Sequence, residues 1–302
     1  AVPLVAMIIL VLGPISAISL YDVSREKMAL VQTVRMQKNT GKKATINRIG
    51  LGSPVIWISK AFTDIMTCPK LAVFYGGLFT LVVYNLWTFL AQSSSLHDVA
   101  VPLVAMIILV LGPISAISLY DVSRKISNGE KPTISNVLGA SIKSNGSCPS
   151  IFLSIVLMLV AVAWMVFSPL IYTVFTAGAL NIVNTDQSII QNIMADFANG
   201  TNMGFVIAYS VFTLSLALVT FMISWFAFPM VHDQDVDPFT AISTSLSATS
   251  KNALVMIPWI VFVGAAVTAG LLTPYFSGLI IIIPVLAHAT WHAYEEMIGS
   301  ID

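Results

Sequence analysis

Two histidines near the end of the chain are the residues best able to do chemistry. His288 and His292 are four residues apart, so on a helix they lie on one face and can bind the same metal ion. His232 and Asp233, together with Asp121, follow two earlier apolar segments and could complete the ligand shell. The spacing therefore predicts a candidate metal site at His288, His292 and His232.

The same histidines have two other interpretations. Trp291 and Tyr294 lie beside them, and aromatic residues of this kind form belts at the headgroup level of a membrane. In such a belt the histidines would hydrogen-bond to neighbouring loops. In the second interpretation the histidines contact a partner subunit. A haem needs axial ligands from two helices, and His232, at the end of an apolar segment, is poorly placed to supply one.

Motifs of catalysis are absent from the sequence. It contains no GxSxG, HExxH, Walker or GxGxxG motif, and no CxxCH motif for covalent haem. We therefore predict that the protein is not an enzyme and has no resident cofactor.

The composition excludes a water-soluble protein. Of the 302 residues, 57% are hydrophobic and 9% are charged, whereas soluble domains have about 25% charged residues. The 14 basic and 14 acidic residues balance to zero net charge, which disfavours nucleic acid as a partner. The lipid bilayer is the predicted partner of most of the surface.

Long apolar segments predict an all-α polytopic bundle. A membrane span needs about 20 apolar residues, and the last such stretch, 253–291, is about twice that length, so it must fold back near Thr273, Pro274 and Gly278. We predict six spans in three hairpins within one integral membrane domain, 28–302. The predicted spans are about 71–91, 99–120, 151–177, 205–231, 253–272 and 275–291.

Lysine and arginine are confined to three parts of the chain. All 14 lie between residue 25 and residue 70, in the 121–149 loop or in the 232–252 loop. Basic residues near span ends are retained in the cytoplasm. We therefore predict that the basic loops and the C-terminus are cytoplasmic in a bacterial inner membrane, or face the matrix in a mitochondrial inner membrane.

Three segments predict short amphipathic helices at the membrane surface, one before each hairpin. They begin at Pro54, Pro132 and Pro238, and proline is favoured in the first turn of a helix. The expected apolar faces are Val55, Ile58, Phe62 and Ile65 in the first, Ile134, Val137, Leu138 and Ile142 in the second, and Phe239, Ile242 and Leu246 in the third.

Residues 1–25 recur letter for letter at 100–124. Lipid-facing Leu, Ile and Val interchange freely, so no structural requirement preserves such identity. We interpret residues 1–27 as non-native, an artefact of assembly or translation with the natural chain beginning at Met28. The alternative is a recent duplication that adds a seventh span.

Small residues in the fifth predicted span form overlapping pairs four residues apart. The pairs are Gly264 with Thr268, Ala265 with Ala269, and Ala266 with Gly270, and they would let another helix approach closely. The approaching helix belongs either to this chain or to a partner protein.

The predicted spans contain no charged residue in their interiors, which argues against a proton-coupled pump. A transporter for a small neutral solute would need a polar path. The available groups are Asn85, Gln92, Thr213, Ser215, Thr220, Ser224, Thr268 and Ser277.

Three stretches carry a resemblance to a known family. They are the run from Pro284 to Tyr294 with its His-Ala-Thr-Trp-His-x-Tyr ending, the Asp235-Val-Asp237 segment, and Ile46-Asn-Arg-Ile-Gly50. Over residues 46–296 the chain resembles an uncharacterised family of bacterial six-span integral membrane proteins. Some members are described as cytochrome c oxidase proteins.

The resemblance implies a non-catalytic accessory or scaffolding subunit of a membrane respiratory complex, associated with cytochrome c oxidase and with other membrane subunits as partners. Two alternatives remain from the residues themselves. One is a transporter or channel for a small neutral solute. The other is a membrane protein that handles a metal or haem with His288 and His292.

Overall fold

The computed structural model of the chain describes residues 44–92, 100–133, 148–176 and 195–301. The duplicated segment 1–25 and nearly all of the predicted helix after Pro132 lie outside these residues. The elements are β1 (Ala44–Ile46), α1 (Ser53–Thr67), α2 (Pro69–Gln92), α3 (Ala100–Ser127), α4 (Cys148–Thr176), α5 (Met203–Ser224), α6 (Ala227–Gln234), α7 (Pro238–Lys251), α8 (Ala253–Leu271), a 3-10 turn (Pro274–Phe276), α9 (Leu279–Met297) and β2 (Ile298–Ile301).

The described part of the chain is mostly helical and has four segments long and apolar enough to cross a membrane. These are Pro69–Gln92, Pro149–Phe175, Met203–Gln234 and Ala253–Leu271. The prediction of a helical membrane protein is confirmed at this level. The count of six spans and their pairing into three hairpins stay predictions.

The predicted break between the last two apolar segments lies where α8 ends. Thr273 Oγ1 accepts a hydrogen bond of 2.7 Å from the backbone N–H of Gly278 and closes the turn. A Cβ atom at Gly270 would lie 2.7 Å from the Leu279 side chain, so α8 and α9 meet closely here and a larger residue would displace that side chain.

A two-stranded sheet corrects the all-α prediction. β1 pairs antiparallel with β2, with Ala44 opposite Ile301 and Ile46 opposite Ile298. Strands of three and four residues are too short to show an alternating pattern, so their pairing is set by the tertiary structure. The sheet joins the segment before α1 to the end of α9.

Helices α1 and α7 begin at the predicted prolines and turn their apolar faces outward. Val55 is 71% exposed and Phe239 is 69% exposed, whereas Ala61 and Asp64 on α1 and Thr244 on α7 are buried. Trp57 of α1 is buried as well, but the large apolar residues left exposed on the two helices suit lipid contact.

Helix α9 is the element around which the described helices pack. It contacts α1, α2 and α3 along its length, and all of residues 284–294 are buried. The Trp291 ring stacks on Tyr120 of α3 with ring centroids 6.3 Å apart. The polar second half of α9 therefore lies inside the protein.

Asp237 caps α7, and its removal should destabilise the protein. Its Oδ1 accepts hydrogen bonds of 3.0 Å from the N–H groups of Phe239 and Thr240. We expect Asp237→Ala to lower the free energy of unfolding by about 1 kcal/mol, and Asp237→Asn to lower it less, because asparagine also caps helices well. Unfolding in mixed detergent micelles measures both; equal losses would contradict the capping role.

The cap should also depend on pH. Burial raises the pKa of Asp237, but the hydrogen bonds from Thr240 and Phe239 outweigh burial, so the pKa lies below its ordinary value. A depressed pKa in the folded state adds stability above the unfolded pKa of about 3.9. We expect this contribution to be lost as the pH falls through the folded pKa, and to be missing from Asp237→Asn at every pH.

Candidate functional site

Four buried side chains from three helices form one hydrogen-bonded group, here called the Asp64 cluster. Asp64 Oδ2 lies 2.6 Å from Ser123 Oγ and 2.8 Å from His292 Nε2, and His288 Nδ1 lies 2.6 Å from the same Ser123 Oγ. Because a carboxylate is the stronger acceptor, Ser123 donates to Asp64 and accepts from the N–H of His288. The cluster thus connects α1, α3 and α9.

Local sequence explains how each helix presents its member. On α1, Trp57, Ala61 and Asp64 recur at helical spacing and form the buried face. On α9, the spacing of four residues aligns His288 with His292.

His292 lies between two carboxylates. Its Nε2 faces Asp64, and its Nδ1 lies 3.2 Å from Glu295 Oε2. Burial lowers the pKa of His292, but the hydrogen bonds with Asp64 and Glu295 outweigh burial and raise the pKa above its ordinary value. The environment therefore favours the charged imidazolium, which donates to both partners.

The Asp64 cluster contains an acid, a histidine and a serine, but in an order unlike that of a hydrolase. In a serine hydrolase the histidine lies between the carboxylate and the serine and removes the serine proton. Here Ser123 lies between Asp64 and His288, and its hydroxyl donates a hydrogen bond to the carboxylate. Ser123 is 0% exposed and His288 is 1% exposed. This geometry suits a connection between helices better than attack on a substrate.

A second charged group, here called the Asp121 cluster, joins α3 to α6. Asp121 is 2.8 Å from Arg124, 2.6 Å from Lys125 and 3.7 Å from His232 Nε2. Burial raises the pKa of Asp121, but the nearby His232, Lys125 and Arg124 side chains outweigh burial, so the pKa is lowered. Asp121 therefore stays ionised and holds three nearby basic side chains.

The three predicted metal ligands are held by two different carboxylates. His288 and His292 belong to the Asp64 cluster, whereas His232 faces Asp121. Across the described ranges, no group of three or more His, Cys, Asp or Glu residues is arranged to hold a metal ion. A metal site at these histidines stays a prediction.

The predicted packing residues divide between the outside and the inside of the protein. Gly264, Ala265 and Ala269 of α8 are exposed, whereas Gly270 is buried against Leu279 of α9. Trp291 and Tyr294 are also buried, and Tyr294 donates a hydrogen bond to Asp233. Because they are buried, Trp291 and Tyr294 pack against other residues of this chain.

A cavity of about 550 Å³ lies between α2, α3, α4, α5, α8 and α9. Sequence reasoning did not predict it. One feature of the sequence could have indicated a cavity, namely the polar residues within the predicted spans. Four of them, Thr213, Thr220, Ser224 and Thr268, line this cavity. The helices bring together lining residues from Phe79 to Thr290, which are 211 positions apart in the sequence.

An apolar cavity of this size is destabilising when nothing fills it. A closed apolar void in a protein core costs about 24 cal/mol per Å³ of its volume, because the atoms that line it lose their contacts. In a membrane, lipid chains or another apolar molecule would remove the cost.

Comparison with known proteins supports a membrane protein. The profile of a family described as predicted integral membrane protein (DUF2189) matches residues 100–233. The chain is similar to an uncharacterised family of integral membrane proteins. The match covers α3 to α6, with Ser123 and the Asp121 cluster, but not the histidine motif of α9. No curated protein and no solved structure matches the chain.

Proposed function

We propose that the chain is a non-catalytic accessory or scaffolding subunit of a membrane respiratory complex, associated with cytochrome c oxidase. In this proposal it has six spans in a bacterial inner membrane, with the basic loops and the C-terminus in the cytoplasm. The observation that supports the proposal is that the outward face of α8 carries several small residues.

Helix α8 presents small residues to its surroundings. Gly264, Ala265, Thr268 and Ala269 are exposed, and no atom lies within 4 Å of a Cβ built at Gly264. The buried residues of α8 are Val255, Met256, Trp259 and Gly270. Small residues on an open face let the backbone of a second membrane helix approach closely. The face therefore suits docking against another membrane protein.

Two further features favour an accessory subunit over an enzyme. The side chains of the Asp64 cluster are buried and hydrogen-bonded to one another, so they connect helices. The predicted spans also have no charged residue in their interiors. The choice of a respiratory partner rests on the family resemblance of residues 46–296.

Co-purification tests the proposal. Affinity-tagged protein is isolated from native membranes in mild detergent, and oxidase activity and co-purifying subunits are measured. We expect oxidase subunits to be recovered with the wild-type chain and to be reduced about tenfold with Ala265→Leu, because loss of close packing of about 1.4 kcal/mol has that effect. Ser215→Leu, on the exposed part of α5, is the matched control and should retain the partners.

Two results would contradict parts of this proposal. Recovery of a monodisperse chain without other subunits would contradict the accessory role. Equal recovery with Ala265→Leu and Ser215→Leu would contradict the α8 face as the docking surface.

A transporter or channel for a small neutral solute is the second candidate. The cavity favours it, because four of the eight polar residues named for a transport path, Thr213, Thr220, Ser224 and Thr268, line that space. Glycerol flux into proteoliposomes tests this function. A flux above that of protein-free liposomes, reduced by Thr220→Val, would support transport, and equal fluxes would contradict it.

Handling of a metal or haem is a third candidate, which depends on His288 and His292. Metal content and visible absorption of the protein purified from native membranes test it. Metal that is bound in stoichiometric amount and lost on His288→Ala would support this function.

A further inference from the structure

We propose that the cavity between α2, α3, α4, α5, α8 and α9 is a binding site for a neutral single-chain lipid with a hydroxyl-bearing head group. The head lies at the end of the cavity near α1, and the chain extends toward the opposite end. This inference does not rest on the accessory function, although Gly264 and Thr268 belong both to the edge of this cavity and to the face of α8 proposed for docking.

Polar groups are concentrated at one end of the cavity. Thr220, Ser224 and Trp225 lie at the end of α5, Tyr120 lies on α3 near Ser123, and Thr290 lies on α9 between the two histidines. These positions share the end of the bundle where α1 packs against α9. A head group would therefore sit there.

Apart from Thr213, Thr268 and the Trp164 N–H, which bonds to Thr213, the rest of the lining is apolar. It includes Phe79, Ile108, Val160, Val263, Val267 and Ile283. Of the described residues that line the cavity, none is Asp, Glu, Lys or Arg. A charged head group would lose its hydration without gaining an opposite charge, so the lining selects a neutral molecule.

Three of the hydroxyl groups at the polar end donate to backbone carbonyl groups of their own helices. Thr220 donates to Leu216 O, Ser224 donates to Thr220 O, and Thr290 donates to Leu286 O, each at 2.7 Å. Their oxygen atoms keep lone pairs that can accept. Trp225 Nε1, at the same end, is a buried donor with no hydrogen-bond partner among the described residues. A hydroxyl, which both donates and accepts, therefore fits this end better than a head group that only accepts.

Lipid can enter from the side of the bundle. Three lining residues are exposed, namely Ala217 on α5 and Gly264 and Thr268 on α8. They are small, so the edge of the cavity between α5 and α8 is open to the bilayer. A single acyl chain can pass through such an opening without unfolding of the bundle.

Three probes with one acyl chain test the head-group chemistry. Binding of radiolabelled monoolein, methyl oleate and oleate to the full chain in dodecyl maltoside is measured at equilibrium. We expect monoolein to bind about tenfold more tightly than methyl oleate, since the latter has no hydroxyl donor. Oleate, which is charged, should bind more weakly than monoolein. Binding of methyl oleate or oleate as tight as that of monoolein would overturn the proposal.

Two glycine variants test the location. Gly264→Leu places a side chain at the open edge of the cavity, whereas Gly77→Leu places one on α2 where no atom lies within 4 Å and which does not line the cavity. We expect Gly264→Leu to weaken monoolein binding about tenfold and Gly77→Leu to leave it unchanged. Equal affinities in the two variants would overturn the assigned site. Because no partner subunit is present, the result is independent of the co-purification test.

Discussion

Replacing Asp64 by alanine is expected to lower the free energy of unfolding by about 3–5 kcal/mol. The carboxylate accepts from both Ser123 and His292 through one oxygen atom, and all three side chains are buried. Its removal leaves a buried imidazolium with only Glu295 beside it and a serine without its acceptor. Losing one member of a buried charged pair is among the largest effects of a single substitution.

Two other variants of α1 make the measurement specific. Asp64→Asn keeps an oxygen acceptor for Ser123 but removes the negative charge, so we expect an intermediate loss. Thr63→Ala, on the exposed side of the same helix, removes a hydrogen bond to Ser59 O and should change stability by no more than about 0.5 kcal/mol. Equilibrium unfolding in mixed detergent micelles compares the three. Similar values for Asp64→Ala and Thr63→Ala would show that the cluster does not hold α1 on α9.

A pair of adjacent glycines on α2 should respond in opposite directions to alanine. A Cβ at Gly76 would overlap the backbone carbonyl of Ile280 on α9, whereas a Cβ at Gly77 meets nothing within 4 Å. Backbone atoms cannot move aside as a flexible side chain can. We therefore expect Gly76→Ala to destabilise the protein by about 1–3 kcal/mol or more, and Gly77→Ala to stabilise α2 by up to about 1 kcal/mol.

Thermal unfolding of the two alanine variants under one detergent condition checks this contrast. Both changes remove a flexible glycine from the same helix, so the effect on helix propensity cancels. The difference between them reports the contact of α2 with α9. Destabilisation of equal size in both variants would mean that α2 and α9 are not in close backbone contact at Gly76.

Some local features followed from particular residues. Pro54 and Pro238 each lie in the first turn of a helix, and Pro274 with Gly278 marks the turn between α8 and α9. Such features depend on the backbone chemistry of one or two residues. The β1–β2 pairing could not be predicted in this way, because neither strand is long enough to show a pattern.

The partners of the chemically active residues were not predictable. The sequence pointed to His288 and His292 as a pair, but their common partner, Asp64, is 228 residues from His292. In the sequence Asp64 is one polar residue on an amphipathic helix, and Ser123 is one serine after an apolar segment. Nothing in their spacing indicates that α1 and α3 both contact the same part of α9.

The sequence by itself determined that this is a helical membrane protein. Hydrophobic length compared with bilayer thickness is a property of consecutive residues, so it can be read without knowing which helices touch. Only the tertiary structure decided that the histidines face Asp64, that Gly264, Ala265 and Ala269 lie on an open face while Gly270 is buried, and that scattered hydroxyl groups surround one cavity. These features depend on which faces of distant helices meet, and apolar helices offer several nearly equivalent faces. Close contacts at glycines and buried polar groups select among them.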